Sequence, residues 1–340
     1  MPQLPLSDAQ HIRSRPGMYI GGLNPRGRRV MITGIVEDLL NLRDAERPRI
    51  TITFNPDGLI ELTALGAAPD LPPLNVVSHP GHTAGFAPES NHASLVIAAA
   101  LCDPLDIRVT RAGRTWSQSF SRGLATGPLH DRTTDQPSAA HLRLRPDPTL
   151  FQDTANDFHA LCGALQALAL FHPTAILAVA DQAANLHRDY HYPRGPVDYL
   201  HELEPTCTGH PDSGRCWCLD LTDGPDRLRA AIFYRHVGPF LAQSFLNGQR
   251  LLSGPHIDGF RQALAHLATQ PNAHPNRHIR PGDHPAENLT AVFVLTLADP
   301  YFKSSTKDCL TGDRPWELAY RMTLEQLPAQ LAPASPVAMP

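Results

Sequence analysis

Four residues that could bind a metal lie close together near the middle of the chain. The segment CTGHPDSGRCWC holds Cys207, His210, Cys216 and Cys218 within twelve residues. Thiolates and imidazoles hold zinc tetrahedrally, so the segment could form a zinc site. The C-x-C spacing is tight, however, and CWCLDL alternates as a strand does. We favour the strand interpretation, in which Cys216 and Cys218 lie on one strand face as small apolar residues and no metal is bound.

A second set of residues has side chains suited to proton transfer. His79, His82 and His92 carry imidazoles, whose charge changes near neutral pH. Glu37 and Asp38 are neighbouring carboxylates. Structural interpretations compete with this one: a Pro/His-rich surface loop for His79 and His82, and a solvated helix face for Glu37.

Composition bounds the class of protein that must position these residues. The 340 residues suggest two domains, and 42% hydrophobic with 18% charged residues indicates a folded, globular chain. The net charge of −4 gives no overall sign of the basic face of a duplex-binding protein, so DNA binding is not expected, although a local basic lining stays open. Six scattered cysteines do not resemble a disulfide framework. With no apolar run of about 18 residues and no signal peptide, we expect no membrane span and a cytoplasmic location.

Arginines cluster near the start of the chain. They are Arg13, Arg15, Arg26, Arg28 and Arg29. Such a cluster could contact a nucleic-acid backbone, but we favour a solvated patch.

The first half of the sequence predicts alternating helices and hairpins. Apolar spacing predicts helices over 30–42 and 92–101. Alternating runs around Asn-Pro-Asp-Gly predict a hairpin over 49–65, and a second hairpin over 105–123 turns at Ala112-Gly113. A strand over 141–151 ends at proline. This order predicts an α+β layer, with helices on one face of a mixed sheet.

The second half repeats this mixture of elements. Helices are predicted at FHALCGALQALALFHP, VDYLHEL and HIDGFRQALAHLATQ, and strands at TAILAVAD, CWCLDLTD, RLRAAIFYRHV, AQSFLNG and NLTAVFVLTLADP. The prolines at 146–148 predict the domain boundary, giving domains 1–148 and 149–340.

Several ordered motifs resemble the N-terminal region of DNA gyrase B and its topoisomerase IV counterpart. They are RPGMYIG, NPRG, the PDG hairpin, RPDPTLF, SGPHIDGF, ENLTAVFVLTLADPYF and STK. The resemblance covers nearly the whole chain. It implies a GHKL (Bergerat-type) ATPase-like domain followed by a ribosomal S5 domain 2-like transducer domain. The family's C-terminal cleavage domain would be lacking, so strand passage is not expected of this chain.

The family's ATP site depends on four small motifs. A helix carries a glutamate that activates water and, four residues later, an asparagine for Mg²⁺. A D-x-G-x-G loop reads adenine, and a later glycine-rich loop cradles the phosphates. Alignment without gaps puts Gly34 at the glutamate, Asp38 at the asparagine and Ala64 at the adenine-reading aspartate. Glycine has no side chain to act as a base, and alanine cannot accept the adenine amine's hydrogen bond. Gly66 is retained, whereas Ala68 replaces the loop's second glycine.

The phosphate loop differs as strongly. ESNHASLVIAAAL stands where the family has a glycine-rich sequence, and His92 and Ser94 replace glycines. Side chains there would obstruct close approach of a phosphate to the backbone. Ala140 stands at the position of the family's threonine. Lys307 matches the transducer lysine that reaches the γ-phosphate, although a solvated loop lysine is an equal interpretation.

An alternative alignment restores part of the site. Glu37 and Asn41 also have the E-x-x-x-N spacing, so a three-residue slip would place both on nearly one helix face. The slip requires an insertion before the helix and a deletion after it, and Ala64 would still lack the adenine contact.

These observations predict a gyrase B-like pseudo-ATPase with a repurposed nucleotide pocket. It would bind, and could transform, another small molecule by acid–base chemistry, with His92, Asp38 and Glu37 as candidate catalytic residues. Candidate ligand contacts are Asn41, Gly66, Ser94 and Lys307. No cofactor is expected, and neither is binding of ATP with Mg²⁺. The alternatives are a non-catalytic gyrase B mimic that binds gyrase or its inhibitors and a divergent active ATPase.

The N-terminal arm bears on partners. Only about a dozen residues precede RPGMYIG, whereas the family's longer arm embraces a partner protomer. ATP-gated dimerisation is therefore not expected, while a constitutive homodimer or a gyrase subunit stays open as a partner.

Overall fold

The computed structural model describes most of the chain, which divides into two compact units with the boundary between His191 and Tyr192. The described residues are 8–41, 47–66, 93–152, 157–205, 216–235, 237–269, 286–304 and 307–331. Within these ranges, no helix combines the length and apolar composition needed to cross a membrane.

The first unit is built on a nine-stranded sheet. Its strands are β1 (Arg49–Phe54), β2 (Ile60–Leu65), β3 (Cys102–Arg111), β4 (Arg114–Ser121), β5 (Leu124–Ala125), β6 (His130–Thr133), β7 (Ala139–Pro146), β8 (Ile176–Asp181) and β9 (Leu186–Tyr190). The sheet order is β5-β4-β3-β7-β2-β1-β8-β9, and β6 also pairs with β4. Neighbours run antiparallel except β1 and β8, which are parallel. The predicted hairpins are confirmed.

Helices of the first unit cover one face of this sheet and bury its apolar residues. They are α1 (Asp8–Ser14), α2 (Gly17–Ile20), α3 (Pro25–Leu40), α4 (Ala93–Leu101) and α5 (Phe158–Phe171). The start of α3 is fixed by Asn24, whose side chain accepts a hydrogen bond from the Gly27 N–H, and by Pro25 in the first turn. Buried Ile35, Val36 and Leu39 then form its apolar face. These contacts fix α3, which carries the candidate carboxylates.

The predicted boundary after residue 148 is wrong in position. Strand β8 pairs in parallel with β1, for example Ile52 with Val179, and β9 continues the same sheet. The first unit therefore extends to His191. A parallel partner requires a crossover, which α5 supplies here, and the proline-rich turn at 146–148 lies inside that connection.

Two of the N-terminal arginines form ion pairs within the protein, Arg13 with Asp147 and Arg29 with Asp157. Arg13 donates hydrogen bonds to the Ala100 carbonyl and to Asp147, at 2.8 and 2.6 Å. Asp147 is fully buried and is also 3.4 Å from Arg122. Burial alone would raise the pKa of Asp147, but hydrogen bonds from Thr149 and Arg13 outweigh it and hold that pKa below its usual value. Arg28 is itself buried, so the cluster is not one solvated patch.

The described part of the second unit holds three helices and a five-stranded mixed sheet. Its helices are α6 (Pro196–Leu203), α7 (Pro255–Thr269) and α8 (Asp313–Leu331). The sheet strands are β10 (Cys216–Asp223), β11 (Asp226–Tyr234), β12 (Leu241–Leu246), β13 (Gln249–Leu251) and β14 (Leu289–Thr296), in the order β10-β11-β14-β12-β13, and β15 (Tyr301–Phe302) pairs with β16 (Leu310–Thr311). Helices α7 and α8 approach closely at Gly259, where a Cβ would lie 2.4 Å from the Trp316 carbonyl oxygen.

The edge strand β10 is covered by two glutamines of α8. Gln330 accepts from the Cys218 N–H at 3.0 Å, and Gln326 accepts from the Asp220 N–H at 2.9 Å. Each amide also donates to the carbonyl of the same residue. These bonds satisfy backbone groups that an edge strand otherwise leaves open to another chain.

The prediction that both cysteines of β10 are core residues is wrong for Cys218. Trp217 and Leu219 point into the core, whereas Cys218 is exposed and only Cys216 is buried. The strand alternates as expected, but its apolar face is the one that carries the tryptophan.

Candidate functional site

The centre of the candidate site is the contact between α3 and the start of α4. Gly34 lies directly against Ser94: a Cβ on Gly34 would be 2.7 Å from the Ser94 Oγ and 3.2 Å from its Cβ. The position that matches the family's catalytic glutamate is therefore filled by a neighbouring side chain. Side chains at 34 and 38 share one helix face, because they are four residues apart.

The carboxylate of Asp38, a residue of α3, lies at the N-terminal end of α4. Its carboxylate accepts a hydrogen bond from the Ser94 N–H at 3.1 Å. It also accepts from the Ser94 hydroxyl and the Leu95 N–H. The N–H groups of the second and third helical residues are those that a capping side chain satisfies. Asp38 thus caps α4 from another helix.

The carboxylates of α3 lie in a partly buried environment. Burial raises the pKa of Asp38 to about 6; the hydrogen bonds from Ser94 and Leu95 oppose the shift, and the nearby Glu37 charge adds to it. Burial also raises the pKa of Glu37. Carboxyl groups shifted toward neutral pH suit acid–base chemistry, and they are also common in structural contacts.

The contacts of α3 favour the alignment without gaps. Gly34 and Asp38 both face Ser94, as the family's glutamate and asparagine should face the phosphate loop. Asn41 is instead the exposed C-cap of α3, and its N–H donates to the Glu37 carbonyl. The three-residue slip would place the Mg²⁺ ligand at that exposed helix end.

The adenine end of the site lacks hydrogen-bonding side chains at two matched positions. Ala64 on β2 and Ala140 on β7 are directly paired in register, and both are fully buried. These positions match the family's adenine-reading aspartate and its threonine. Gly66 follows β2 with φ +72° and donates its N–H to the Ser138 carbonyl at 3.0 Å. The turn after β2 therefore favours glycine at position 66, whether or not a ligand binds beside it.

Several sequence-predicted residues are separate from this contact. His92, His79, His82, Cys207 and His210 lie outside the described residues. Lys307 belongs to the second unit, where it is exposed between β15 and β16, and its role at the pocket stays a prediction. Among the residues that the structure describes, no group of three or more histidine, cysteine or acidic side chains could hold a metal ion.

The exposed Cys218 thiol on β10 has a lowered pKa. A hydrogen bond with Cys216 lowers the pKa of Cys218 to about 7; burial acts against this shift and the Arg194 charge assists it. A thiolate is the nucleophilic form, so Cys218 should react more readily than the buried Cys102.

Comparisons with known proteins agree with this architecture. No protein-family model matches the chain. The chloroplastic/mitochondrial DNA gyrase B of rice is 24% identical over 332 residues, covering 87% of this chain and 45% of the relative. The DNA gyrase B of Thermotoga maritima is 24% identical over 349 residues, covering 95% of this chain and 55% of the relative.

The similarity of this chain to gyrase B is stronger in structure than in sequence. The 43K ATPase domain of Thermus thermophilus gyrase B, solved in complex with an aminocoumarin, superposes with a TM-score of 0.74. It is 19% identical, and the match covers 96% of this chain and 93% of that chain. The chain therefore has the GHKL ATPase-region fold of gyrase B and is similar in sequence to curated gyrase B proteins. It spans about half the length of those relatives.

Sequence reasoning missed how the site residues are used. Spacing predicts only that Asp38 faces a pocket, yet it caps a helix 56 residues away in sequence. A signal was present, since aspartate is a preferred capping residue and ASLVIAAAL begins without one immediately before it. Spacing alone cannot reveal a cap supplied by a different helix.

Proposed function

We propose that this protein is a gyrase B-like pseudo-ATPase whose former nucleotide pocket serves another small molecule. The observation that carries the proposal is the position of the Asp38 carboxylate, which caps α4 at its N-terminal end. In the family, that helix end receives phosphate. Here an internal carboxylate already uses the same backbone donors.

Electrostatics supports loss of nucleotide binding. The N-terminus of a helix favours one anion because its N–H groups and dipole point outward. A triphosphate placed there would meet the Asp38 charge and, beside it, Glu37. Like charges at such distances repel, and the site would have to expel or protonate Asp38 before phosphate could bind.

The catalytic and adenine positions support the same conclusion. Gly34 supplies no base, and Ser94 fills the space that a larger side chain would need. Ala64 and Ala140 supply two methyl groups where adenine would need a hydrogen-bond acceptor. A bound adenine would lose its hydrogen bonds to water without gaining a partner at these positions. Its binding would therefore be much weaker.

The residues that remain indicate the chemistry of the replacement ligand. The carboxyls of Asp38 and Glu37 favour a neutral or cationic molecule that donates hydrogen bonds, and the adenine end favours an apolar portion. A pKa of about 6 lets Asp38 exchange a proton near neutral pH. His92 is the further acid–base candidate. No metal or nucleotide is required by this proposal.

Nucleotide binding is tested by calorimetry with a non-hydrolysable ATP analogue and Mg²⁺. We expect no binding heat from the wild-type protein and clear heat from a gyrase B ATPase domain run in parallel. The Asp38→Asn variant provides a matched comparison, since it restores the family's residue and removes the charge. Saturable binding of the analogue to the wild-type protein would contradict the proposal and favour an active ATPase.

Binding of another small molecule is tested by a thermal-shift screen of neutral and cationic compounds. We expect hits that raise the melting temperature of the wild-type protein and lose at least tenfold affinity in Asp38→Asn and Glu37→Gln. Turnover of a hit should fall in the same variants. Hits that bind all three proteins equally would place the ligand elsewhere and contradict this part of the proposal.

A second candidate function is a non-catalytic mimic that binds gyrase subunits or gyrase inhibitors. It is favoured by the retention of the whole two-unit fold, with 96% of the chain matched to a gyrase B structure, alongside a capped phosphate site. That similar structure holds an aminocoumarin. Pull-down with gyrase subunits and calorimetry with an aminocoumarin test this candidate, and failure of both would exclude it.

A further inference from the structure

The face of the first sheet that points away from α3 and α4 carries a continuous row of polar side chains. Register pairs Thr63 with His141, His141 with Arg108, Arg108 with Ser117 and Ser117 with His130. The row therefore crosses β2, β7, β3, β4 and β6 in turn. Its members lie opposite the buried Ala64 and Leu142, because successive side chains alternate between faces.

Arg108 is the cation at the centre of this row. Its side chain is exposed, and within the described part of the chain it forms no hydrogen bond or ion pair. Directly paired residues of antiparallel strands have Cα atoms about 4.5–5.5 Å apart. His141 and Ser117 are therefore the direct cross-strand neighbours of Arg108 on this face.

A second row lies two residues further along the same strands. It pairs Glu61 with Arg143, Arg143 with Asp106, and Asp106 with Ser119. Arg143 is 3.2 Å from the Glu61 carboxylate, and Ser119 donates to Asp106 at 2.6 Å. The cation of this row is already paired, while each carboxylate retains an oxygen that can accept from a ligand hydroxyl.

The two rows form the floor of a groove of about 610 Å³. Its wall is the segment 124–133, which returns along β4 and is fixed by the Thr126 N–H donating to the Ser119 carbonyl at 2.9 Å. Thr126, Gly127 and Pro128 line the groove from this wall. The volume suits a small ligand, and the polar lining suits one that is itself polar.

We propose that this groove binds a small phosphate monoester of a polyhydroxylated molecule, such as a sugar phosphate. The planar fork of Arg108 fits phosphate oxygens, with Ser117 and His141 beside it as further donors. The carboxylates of Glu61 and Asp106 lie about 7 Å further along the strands, at the distance of two residues. There they accept hydrogen bonds from the ligand's hydroxyl groups. The site is on the opposite face of the sheet from Asp38 and does not depend on the function proposed there.

Calorimetry with ribose 5-phosphate, glucose 6-phosphate, inorganic phosphate and sulfate on the full chain tests the inference. We expect a sugar phosphate to bind at least tenfold more tightly than sulfate. Arg108→Gln should weaken this binding at least tenfold, and Arg108→Lys should weaken it less, because it keeps the charge without the fork. Arg26→Gln is the matched control, since Arg26 is exposed and outside the groove.

A carboxylate variant separates the two halves of the ligand. Asp106→Asn should weaken ribose 5-phosphate or glucose 6-phosphate binding several-fold and leave inorganic phosphate binding unchanged. The inference is overturned if neither sugar phosphate binds, if all four anions bind alike, or if Arg108→Gln binds a sugar phosphate as well as the wild-type protein does. Circular dichroism of each variant checks that weaker binding does not result from loss of folded structure.

Discussion

Asp38 joins two properties that usually conflict in a carboxylate. It is desolvated, which favours the neutral form, and it accepts hydrogen bonds at a helix N-terminus, which favours the charged form. Desolvation is the larger effect, so its pKa rises to about 6. The residue is therefore close to half ionised at mildly acidic pH, and its contribution to stability depends on pH.

The stability of the first unit should decrease as Asp38 ionises. Because the folded pKa is about 6 and the ordinary value for an aspartate is 3.8, the folded state binds this proton more tightly than the unfolded state. The stabilisation is fully present below pH 3.8 and is lost as pH rises through about 6. Asp38→Asn keeps a capping acceptor without the charge, so its melting temperature relative to wild type should rise by about 2–4 °C between pH 5 and 7.5.

Asp135→Asn provides the control for this measurement, because Asp135 is exposed and forms no described cap. Its melting temperature should differ from wild type equally at both pH values. If Asp38→Asn showed the same pH-independent difference, Asp38 would not titrate in the range that its burial indicates.

The Arg13–Asp147 pair shows a buried carboxylate whose partners outweigh its desolvation. Arg13→Gln would leave Asp147 with only Thr149 and the more distant Arg122. Removing one partner of a buried ion pair costs about 3–5 kcal/mol when the remaining charge is left uncompensated. Because Thr149 and Arg122 still contact Asp147, we expect a smaller loss, about 2 kcal/mol, in urea unfolding. Arg15→Gln should change the free energy of unfolding by less than about 0.5 kcal/mol, since Arg15 is exposed.

At the scale of elements, the close approach of α3 to α4 depends on a glycine inside a helix. Glycine costs a helix interior about 1 kcal/mol relative to alanine. Gly34 offsets this cost by giving Ser94 room, since no other residue would leave the Ser94 side chain undisturbed. Packing between helices here outweighs helix propensity.

A double-mutant cycle measures this packing. Gly34→Ala should destabilise the protein by about 1–2 kcal/mol through overpacking, although it improves helix propensity. In a Ser94→Gly background the same change should be neutral or stabilising, because the obstructing atoms are gone, giving a coupling of about 1 kcal/mol or more. Gly163→Ala is the control: nothing lies within 4 Å of its Cβ position, so it should stabilise. An equal effect of Gly34→Ala in both backgrounds would contradict the contact.

At the scale of the whole molecule, sequence predicted most elements because each had a local signal. The hairpin 49–65 has a strong turn, and α5 has helical spacing and an aspartate cap at Asp157. Helix α8 was missed, since Pro315 and Pro328 interrupt its pattern, although proline is tolerated in a first turn. Strand β9 was missed because its first four residues, 186–189, are exposed.

The site was less predictable than the fold. Alignment identified the exchanged positions, and the structure adds what the replacements do: Ala64 lies opposite Ala140, and Asp38 reaches Ser94. The polar row centred on Arg108 was not foreseen, because its residues come from five strands and become neighbours only through register. Long-range pairing of this kind has no signature within a short window of sequence.

The corrected division of the chain leads to a test with fragments. A fragment of residues 1–191 retains β8 beside β1, whereas a fragment of residues 1–148 loses β8, β9 and α5 together. Buried Ile50 and Ile52 on β1 would then become part of an exposed sheet edge, and the apolar face of α5, including Leu165 and Leu168, would be missing. We expect cooperative urea unfolding and dispersed amide resonances from 1–191, and aggregation or loss of cooperativity from 1–148. Cooperative unfolding of the shorter fragment would show that the crossover strand is dispensable and would restore the boundary at the prolines.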